Sequence, residues 1–329
     1  MKAQKKPEKT IKWGIIGPGK IAHKFAGDLS YVSNTELYAV ASRDQSRAEA
    51  FAKQYKVPFA YRSYWALAED PEIDAVYVAT PHSLHKENSL MCLKQKKAVL
   101  CEKPLAINST EVEEIIAVAK SEKILLMEAL WTAFLPGFQS AVQKLKDGTI
   151  GKIISIEASF GFQPPYQAES RLFNKQLGGG SLLDIGIYPL FLALSLLGKP
   201  SDIDAKATFF DTGVDSSCKI NLLYENSVKA KLFSTFLREI PVEAFIQGSE
   251  GSLKIHHPFH EAPSFSIKKK GKTEQFNFAN EGGGFVYEIA HFCELLRQEK
   301  TESPVMSFEV SSHLIGLMDE VGKKIAFTK

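Results

Sequence analysis

Short apolar runs alternate with amphipathic stretches through the first third of the chain. Residues 11–16 (IKWGII), 36–41 (ELYAVA), 75–79 (AVYVA), 98–101 (AVLC) and 124–127 (ILLM) read as strands, with a shorter one at 58–61. Helical patterns lie between them. One spans about 20–29. The next, QSRAEAFAKQY, places Ala48, Phe51, Ala52 and Tyr55 on one face. Two more fall at 84–96 and 111–121, the last opened by a capping box of Thr110 and Glu113. Unbroken apolar strands separated by helices predict a doubly wound parallel sheet, a Rossmann-type unit with helices on both faces.

The rhythm changes beyond residue 136. One helix runs to Lys146, with Pro136 at its start and Gly148 past its end. Strands then dominate, at 152–162, 203–210, 218–224, 228–236 and 242–247, around an inserted helical segment at 181–198. Two helices close the chain, at about 284–298 and 307–326. The pattern predicts two domains, 1–129 and 130–329. The second is a mostly antiparallel open sheet with helices on one face, and the last helix packs back on the first domain. The free face of that sheet, if apolar, needs a partner, so a homodimer through the sheet is expected.

Composition narrows the class. In 329 residues, 40 basic and 38 acidic side chains leave a net charge of +2, so no field favours nucleic acid or an anionic membrane. The apolar run 187–197 is too short for a membrane span of about 20 residues. Lys2, Lys5, Lys6 and Lys9 read as a solvated basic tail. Cys92, Cys101, Cys218 and Cys293 lack metal or redox spacing, which points to reduced thiols and a cytoplasmic protein. His256, His257 and His260 sit at a proline turn, and no metal site is expected there. Gly282-Gly283-Gly284 reads as a loop into a helix, because no parallel strand precedes it.

The first chemical motif is Gly17-Pro18-Gly19-Lys20-Ile21-Ala22, a GxGxxA between a strand and a helix. Its first glycine permits the turn, and its second lets backbone approach a pyrophosphate. Its small third residue lets helix meet strand, and the helix N-terminus offers free N–H groups. Where an NAD-binding carboxylate is expected, Ser42 stands instead, followed by Arg43 and, one helical turn on, Arg47. Two guanidiniums without that carboxylate suit the 2′-phosphate of NADP, with NAD as the alternative; Asp44 is expected to point away.

Three further blocks follow in order: Thr80-Pro81-His82-Ser83-Leu84-His85, then Cys101-Glu102-Lys103-Pro104-Leu105, then GGGSLLDIGIYP from Gly178 to Pro189. Together with the glycine turn they resemble the glucose–fructose oxidoreductase/inositol dehydrogenase (Gfo/Idh/MocA) family. EALWT (Glu128–Thr132) and SRLFN (Ser170–Asn174) resemble its branch of diol and xylose dehydrogenases. The resemblance implies an NADP-dependent oxidoreductase acting on an aldose or a cyclic vicinal diol. It implies Tyr188 as general acid/base and Lys103 as its partner, following a strand end and preceding a cis peptide at Pro104. A nearby ammonium lowers a phenol's pKa, which suits that role. Asp184 then contacts substrate. Thr80, Pro81, His82, His85, Glu102 and Trp131 line the cofactor. Phe162, Arg171 and Phe173 wall the substrate. Relatives in that branch often carry Arg where Ala133 stands. Two rivals on the same scaffold are an NAD-assisted glycoside-cleaving enzyme and a non-enzymatic NADP sensor.

Overall fold

In the computed structural model, which describes residues 9–326, the first apolar run becomes β1 (Ile11–Ile16), central to a parallel sheet. After it come α1 (Lys20–Leu29), β2 (Thr35–Ala41), α2 (Gln45–Tyr55), β3 (Phe59–Tyr61) and α3 (Tyr64–Glu69). Then come β4 (Ala75–Val78), α4 (His85–Lys94), β5 (Ala98–Glu102), α5 (Ser109–Glu122) and β6 (Leu126–Ala129). The strand order is β3-β2-β1-β4-β5-β6. Every residue of β4, β5 and β6 is buried, as expected where helices cover both faces. The order reverses between β1 and β4, so the loops leaving these strands part and open a crevice.

Two local expectations are corrected. α3 is too short to leave a periodic trace; Ser63 starts it by accepting from the Ala66 N–H. α5 starts two residues earlier than a cap at Thr110 implied. Its cap is the extended residue Asn108, whose side chain accepts from Glu111 N at 2.9 Å, so Thr110 lies inside the helix.

α6 (Pro136–Lys146) leads into β7 (Ile153–Gly161). A π-helical turn, Leu182–Gly186, runs directly into α7 (Ile187–Leu197). The second sheet continues with β8 (Asp202–Phe209), β9 (Asp215–Leu223), β10 (Lys229–Thr235) and β11 (Ala244–Gly248). The sequence reading stopped there, but β12 (Gly251–Ile255), β13 (Ser264–Lys269) and β14 (Lys272–Asn277) extend it. β14 is almost wholly exposed and so lacks the alternation that marks a strand. The order is β14-β13-β12-β11-β7-β10-β9-β8, antiparallel except where β7 meets β10.

The inner face of this sheet carries Ile156, Ala158, Ile220, Leu222, Ala230, Leu232 and Ile246, all buried, with α7 packed upon it. The outer face is not apolar. Glu157 pairs with Lys231 at 3.5 Å and Glu243 with Lys254 at 2.8 Å, and only Phe233 and Phe245 add large rings. Strict alternation sends the charged residues outward, so the condition on which the homodimer expectation turned is not met.

α8 (Val286–Arg297) and α9 (Phe308–Ala326) finish the fold. α9 touches α5 as well as α7 and β8, with Ser311 donating to Glu128 at 2.6 Å. α8 returns too, a contact the sequence did not show: Phe292 lies 5.1 Å from Trp13. The Asp28 carboxylate accepts from Gly283 N and Phe285 N, at 2.6 and 2.7 Å, which occupies the glycine loop. Lys9 is not merely solvated, since it pairs with Asp74 at 2.6 Å; Lys2, Lys5 and Lys6 lie outside the described residues.

Candidate active site

The crevice at the carboxyl ends of β1 and β4 is a cavity of about 610 Å³. Gly17, Pro18, Gly19, Lys20 and Ile21 form one wall. At Gly17 φ is +88°, and a Cβ would lie 2.9 Å from the Ala79 carbonyl oxygen, so glycine is required. At Gly19 a Cβ would meet nothing within 4 Å, which leaves open space beside the N-terminus of α1. Ala22 is fully buried against the sheet. This is the room and the donor set that a dinucleotide pyrophosphate needs.

Arg43 and Arg47 line the same cavity, with Arg47 reaching the Pro18 carbonyl at 3.4 Å. Ser42 is buried and its hydroxyl accepts from Asp44 N. Asp44 caps α2, accepting through Oδ1 from Ser46 N at 3.0 Å and from the Ser46 hydroxyl, yet it also lines the cavity rather than pointing away from it. Tyr64, the first residue of α3, adds a wall that the sequence reading missed.

Thr80, Pro81, His82, His85, Glu102, Lys103, Arg171 and Asp184 line the inner end. The Lys103–Pro104 peptide is cis. Lys103 Nζ donates to the Asp184 carbonyl at 2.5 Å and lies 3.4 Å from its carboxylate. Arg171 Nη1 donates to that carboxylate at 2.9 Å, and His82 Nε2 lies 3.8 Å away. Burial alone pushes the Asp184 carboxyl up. Lys103, Arg171 and His82 overcome this and hold it well below the usual carboxylate range. Burial likewise pulls Lys103 down, but Tyr188, Asp184 and Glu102 outweigh it and raise the ammonium's pKa.

Asp184 lies in the π-helical turn and Tyr188 at the start of α7, so a turn wider than an α-helical one separates them. Asp215 holds that turn: it accepts from the Ser181 hydroxyl at 2.6 Å and from Leu182 N at 2.8 Å. Gly180, with φ +117°, is where a Cβ would strike Asp215 Oδ1, at 2.2 Å. Asp215 could not be read as an anchor from the sequence, because it starts β9, remote along the chain.

Lys103 Nζ sits 5.0 Å from the centre of the Tyr188 ring. The Tyr188 hydroxyl accepts from Trp131 Nε1 at 3.2 Å. Its pKa departs from the expectation: burial raises it, and Lys103 pulls in the opposite direction without winning.

Among the predicted residues, His82 and His85 line the cavity but are held by backbone carbonyls, while Trp131, Phe162 and Phe173 are not among its lining residues. His85 is fully buried, with Nδ1 2.8 Å from the Pro104 carbonyl and Nε2 2.8 Å from that of Thr80; burial pulls it down to about 4. A neutral imidazole donates only one of those bonds, and His85 braces the Lys103–Pro104 turn rather than reaching for a ligand. His82 Nδ1 meets the Gly178 carbonyl at 2.8 Å, and burial takes it down to about 3. Trp131 lies behind the cleft wall against Tyr188 and Phe285. Phe173 is packed among Tyr166, Phe210 and Phe236, and Phe162 leans on Phe236 beyond the end of β7. Phe160, not singled out from the sequence, is the strand aromatic that packs against Tyr188, at 5.6 Å. His260, discounted as a metal ligand, stacks on Phe160 at 4.5 Å and lies 5.1 Å from Tyr188. Among the described residues no cluster has a metal-binding arrangement.

Comparison with known proteins agrees with this architecture. A trans-1,2-dihydrobenzene-1,2-diol dehydrogenase of Xenopus tropicalis is 37% identical, over 96% of this chain and 98% of that protein. The Homo sapiens protein of that name is 35% identical, over 97% and 98%. A 3-ketoreductase from Actinomadura kijaniata, solved with NADP and TDP-benzene, superposes with a TM-score of 0.86 at 30% identity, covering 96% of this chain and 98% of that one. Residues 11–130 match the oxidoreductase family with an NAD-binding Rossmann fold, and residues 138–254 match the GFO/IDH/MocA C-terminal domain. The chain belongs to the Gfo/Idh/MocA oxidoreductase family.

Proposed function

We propose that this protein is an NADP-dependent oxidoreductase. It transfers hydride between nicotinamide and a carbinol carbon of an aldose or a cyclic vicinal diol. One observation carries the reading: Lys103 and Asp184 line the inner end of a crevice whose outer end is a glycine turn, and the Tyr188 ring stands 5.0 Å from Lys103 Nζ, backing that end. The bound nucleotide supplies the hydride acceptor or donor. Tyr188 Oη takes the carbinol proton on oxidation and returns it on reduction. The Lys103 ammonium beside the ring and the Trp131 N–H on the oxygen both favour the phenolate. Asp184 stays ionised, fixes Lys103 and Arg171, and offers an acceptor to substrate hydroxyls. Arg43 and Arg47 hold the 2′-phosphate.

The dehydrogenase name of the relatives and the NADP complex of the ketoreductase support this reading over the glycoside-cleaving and sensor alternatives. The test is to incubate purified protein with NADP and a panel of pentoses, hexoses and cyclic diols. Stoichiometric accumulation of NADPH is expected. Cleavage of a glycoside without net NADPH points to the first rival, and tight NADP binding without turnover to the second. All four cysteines are free and buried, which suits a reducing cytoplasmic setting. A homodimer through the second sheet would join outer faces on which Glu157 and Lys231 already pair within each chain; a dimer mass in light scattering supports it, and a monomer mass on dilution counts against it.

A further inference from the structure

Lys24 is a cation of the cleft that no anion of the protein answers. It stands in the second turn of α1, half-buried, and lines the cavity together with Lys103 and Asp184. Its Nζ lies 3.9 Å from the centre of the Trp131 ring and 4.9 Å from that of Phe285. Ring faces hold the charge, but they leave the N–H donors of an ammonium to be satisfied. No carboxylate among the described residues comes within 4.0 Å of it. Asp28, one turn on, spends its two oxygens on Gly283 N and Phe285 N. Glu288 is sealed with both oxygens unpartnered, and burial pushes its carboxyl well up, which disfavours the charge a counterion needs.

The other cations of the cavity have a use. Lys103 and Arg171 face Asp184. Arg43 and Arg47 stand at the outer end, and Lys20 opens α1 beside the glycine turn. Lys24 belongs to the inner end. The indole beneath it is the one whose N–H reaches the Tyr188 hydroxyl, so ammonium and phenol flank one ring. Its charge and that of Lys103 both act on His260, whose ring lies 5.1 Å from Tyr188. An anion that meets Lys24 there sits beside the reacting carbinol. One ammonium suits a monoanion, whereas a phosphate dianion calls for several donors.

We propose that Lys24 binds a carboxylate carried by the substrate, so that the preferred substrate is an acid, a uronate-type aldose or a cyclic diol carboxylate, rather than its neutral analogue. This rests on the oxidoreductase function proposed above and narrows its substrate class. A charge-assisted bond of this kind favours the acid by roughly 10–100-fold in kcat/KM. Lys24 is then a specificity-determining residue with no part in proton transfer.

The test pairs glucuronate with glucose, and quinate with trans-cyclohexane-1,2-diol, each with NADP; glucose 6-phosphate is a further anion. The wild type should favour the acid by about tenfold or more in whichever series it oxidises. In Lys24→Met the two members of a pair should come within about threefold of each other, through KM of the acid. Lys24→Gln repeats the measurement if the methionine variant does not fold, and Lys24→Arg, which keeps the charge, should keep the preference. A wild type that uses acid and neutral substrates alike, or glucose 6-phosphate best, overturns the proposal while the oxidoreductase function stands. An unchanged preference in Lys24→Met also overturns it, and weaker NADP binding in that same variant would place Lys24 on the cofactor's phosphates. If wild-type protein binds NADP but oxidises no alcohol, the function itself fails, and this inference fails with it.

Discussion

At its outer end the crevice is lined by residues 17–21 and 42–47, which are near neighbours in sequence. At its inner end it is lined by Lys103, Arg171 and Asp184, backed by Trp131, Tyr188 and His260, which the fold gathers from both sheets. The outer end works through backbone: a positive φ at Gly17, open space at Gly19 and a helix N-terminus. The inner end works through closely spaced charge, where the buried Asp184 carboxylate faces the buried Lys103 and the half-exposed Arg171. The first kind of site tolerates side-chain changes and binds. The second stakes its protonation states on each member being present, and so can do chemistry.

Removing Lys103 should strike this contrast hardest. Lys103→Ala is expected to lower kcat by about 10²–10⁴-fold while the glycine turn still binds nucleotide, as steady-state kinetics and NADP titration will show. A variant within a few-fold of wild type would mean that the inner end binds rather than reacts.

Asp184→Asn comes next, with a loss of roughly 10–100-fold in kcat/KM, because Lys103 and Arg171 then face each other without compensation. The folded-state pKa of Asp184 is depressed, so its stabilisation is present above the unfolded value of about 3.9 and is lost as pH falls below it. The melting-temperature gap between wild type and Asp184→Asn should therefore be full at neutral pH and shrink in acid. A gap that widens in acid contradicts the charge assignment.

At the outer end, Arg43→Ala should weaken NADP about tenfold and leave NAD unchanged. Equal weakening of both nucleotides would show that Arg43 serves the shared part of the cofactor.

The smallest effect lies between the two ends, at Glu128. Its carboxyl accepts from Leu105 N and the Ser311 hydroxyl, and burial pushes it up to about 7. A raised carboxyl pKa favours folding below the unfolded value of about 4.3, and that contribution is lost as pH climbs through the folded one. Glu128→Gln should gain stability relative to wild type between pH about 5 and 8, on the order of 1–3 kcal/mol, read by denaturant titration. No pH dependence in that difference would mean that the buried carboxyl ionises freely.

The same contrast explains what the sequence disclosed. The parallel sheet was legible because strands buried on both faces are unbroken apolar runs, and the glycine turn because its parts are adjacent. Lys103, Asp184 and Tyr188 were legible only through whole motifs that resemble a family. Phe160, Asp215 and His260 were not, because their roles arise from contacts across distant segments: Thr132 and His260 are 128 residues apart. The clusters that Phe162 and Phe173 join were hidden for the same reason, since an aromatic residue near a strand carries no mark of its partners. The outer face of the second sheet was an open condition, and only the strand register showed it to be charged.

The account stands on Lys103 and Tyr188 acting as one unit on the carbinol proton. A double-mutant cycle of Lys103→Ala and Tyr188→Phe, read as kcat on the best substrate with NADP saturating, tests this directly. The pair should be no slower than the worse single variant, because either change removes the same proton transfer. Losses that multiply, so that the double variant shows the product of the two singles, would contradict it.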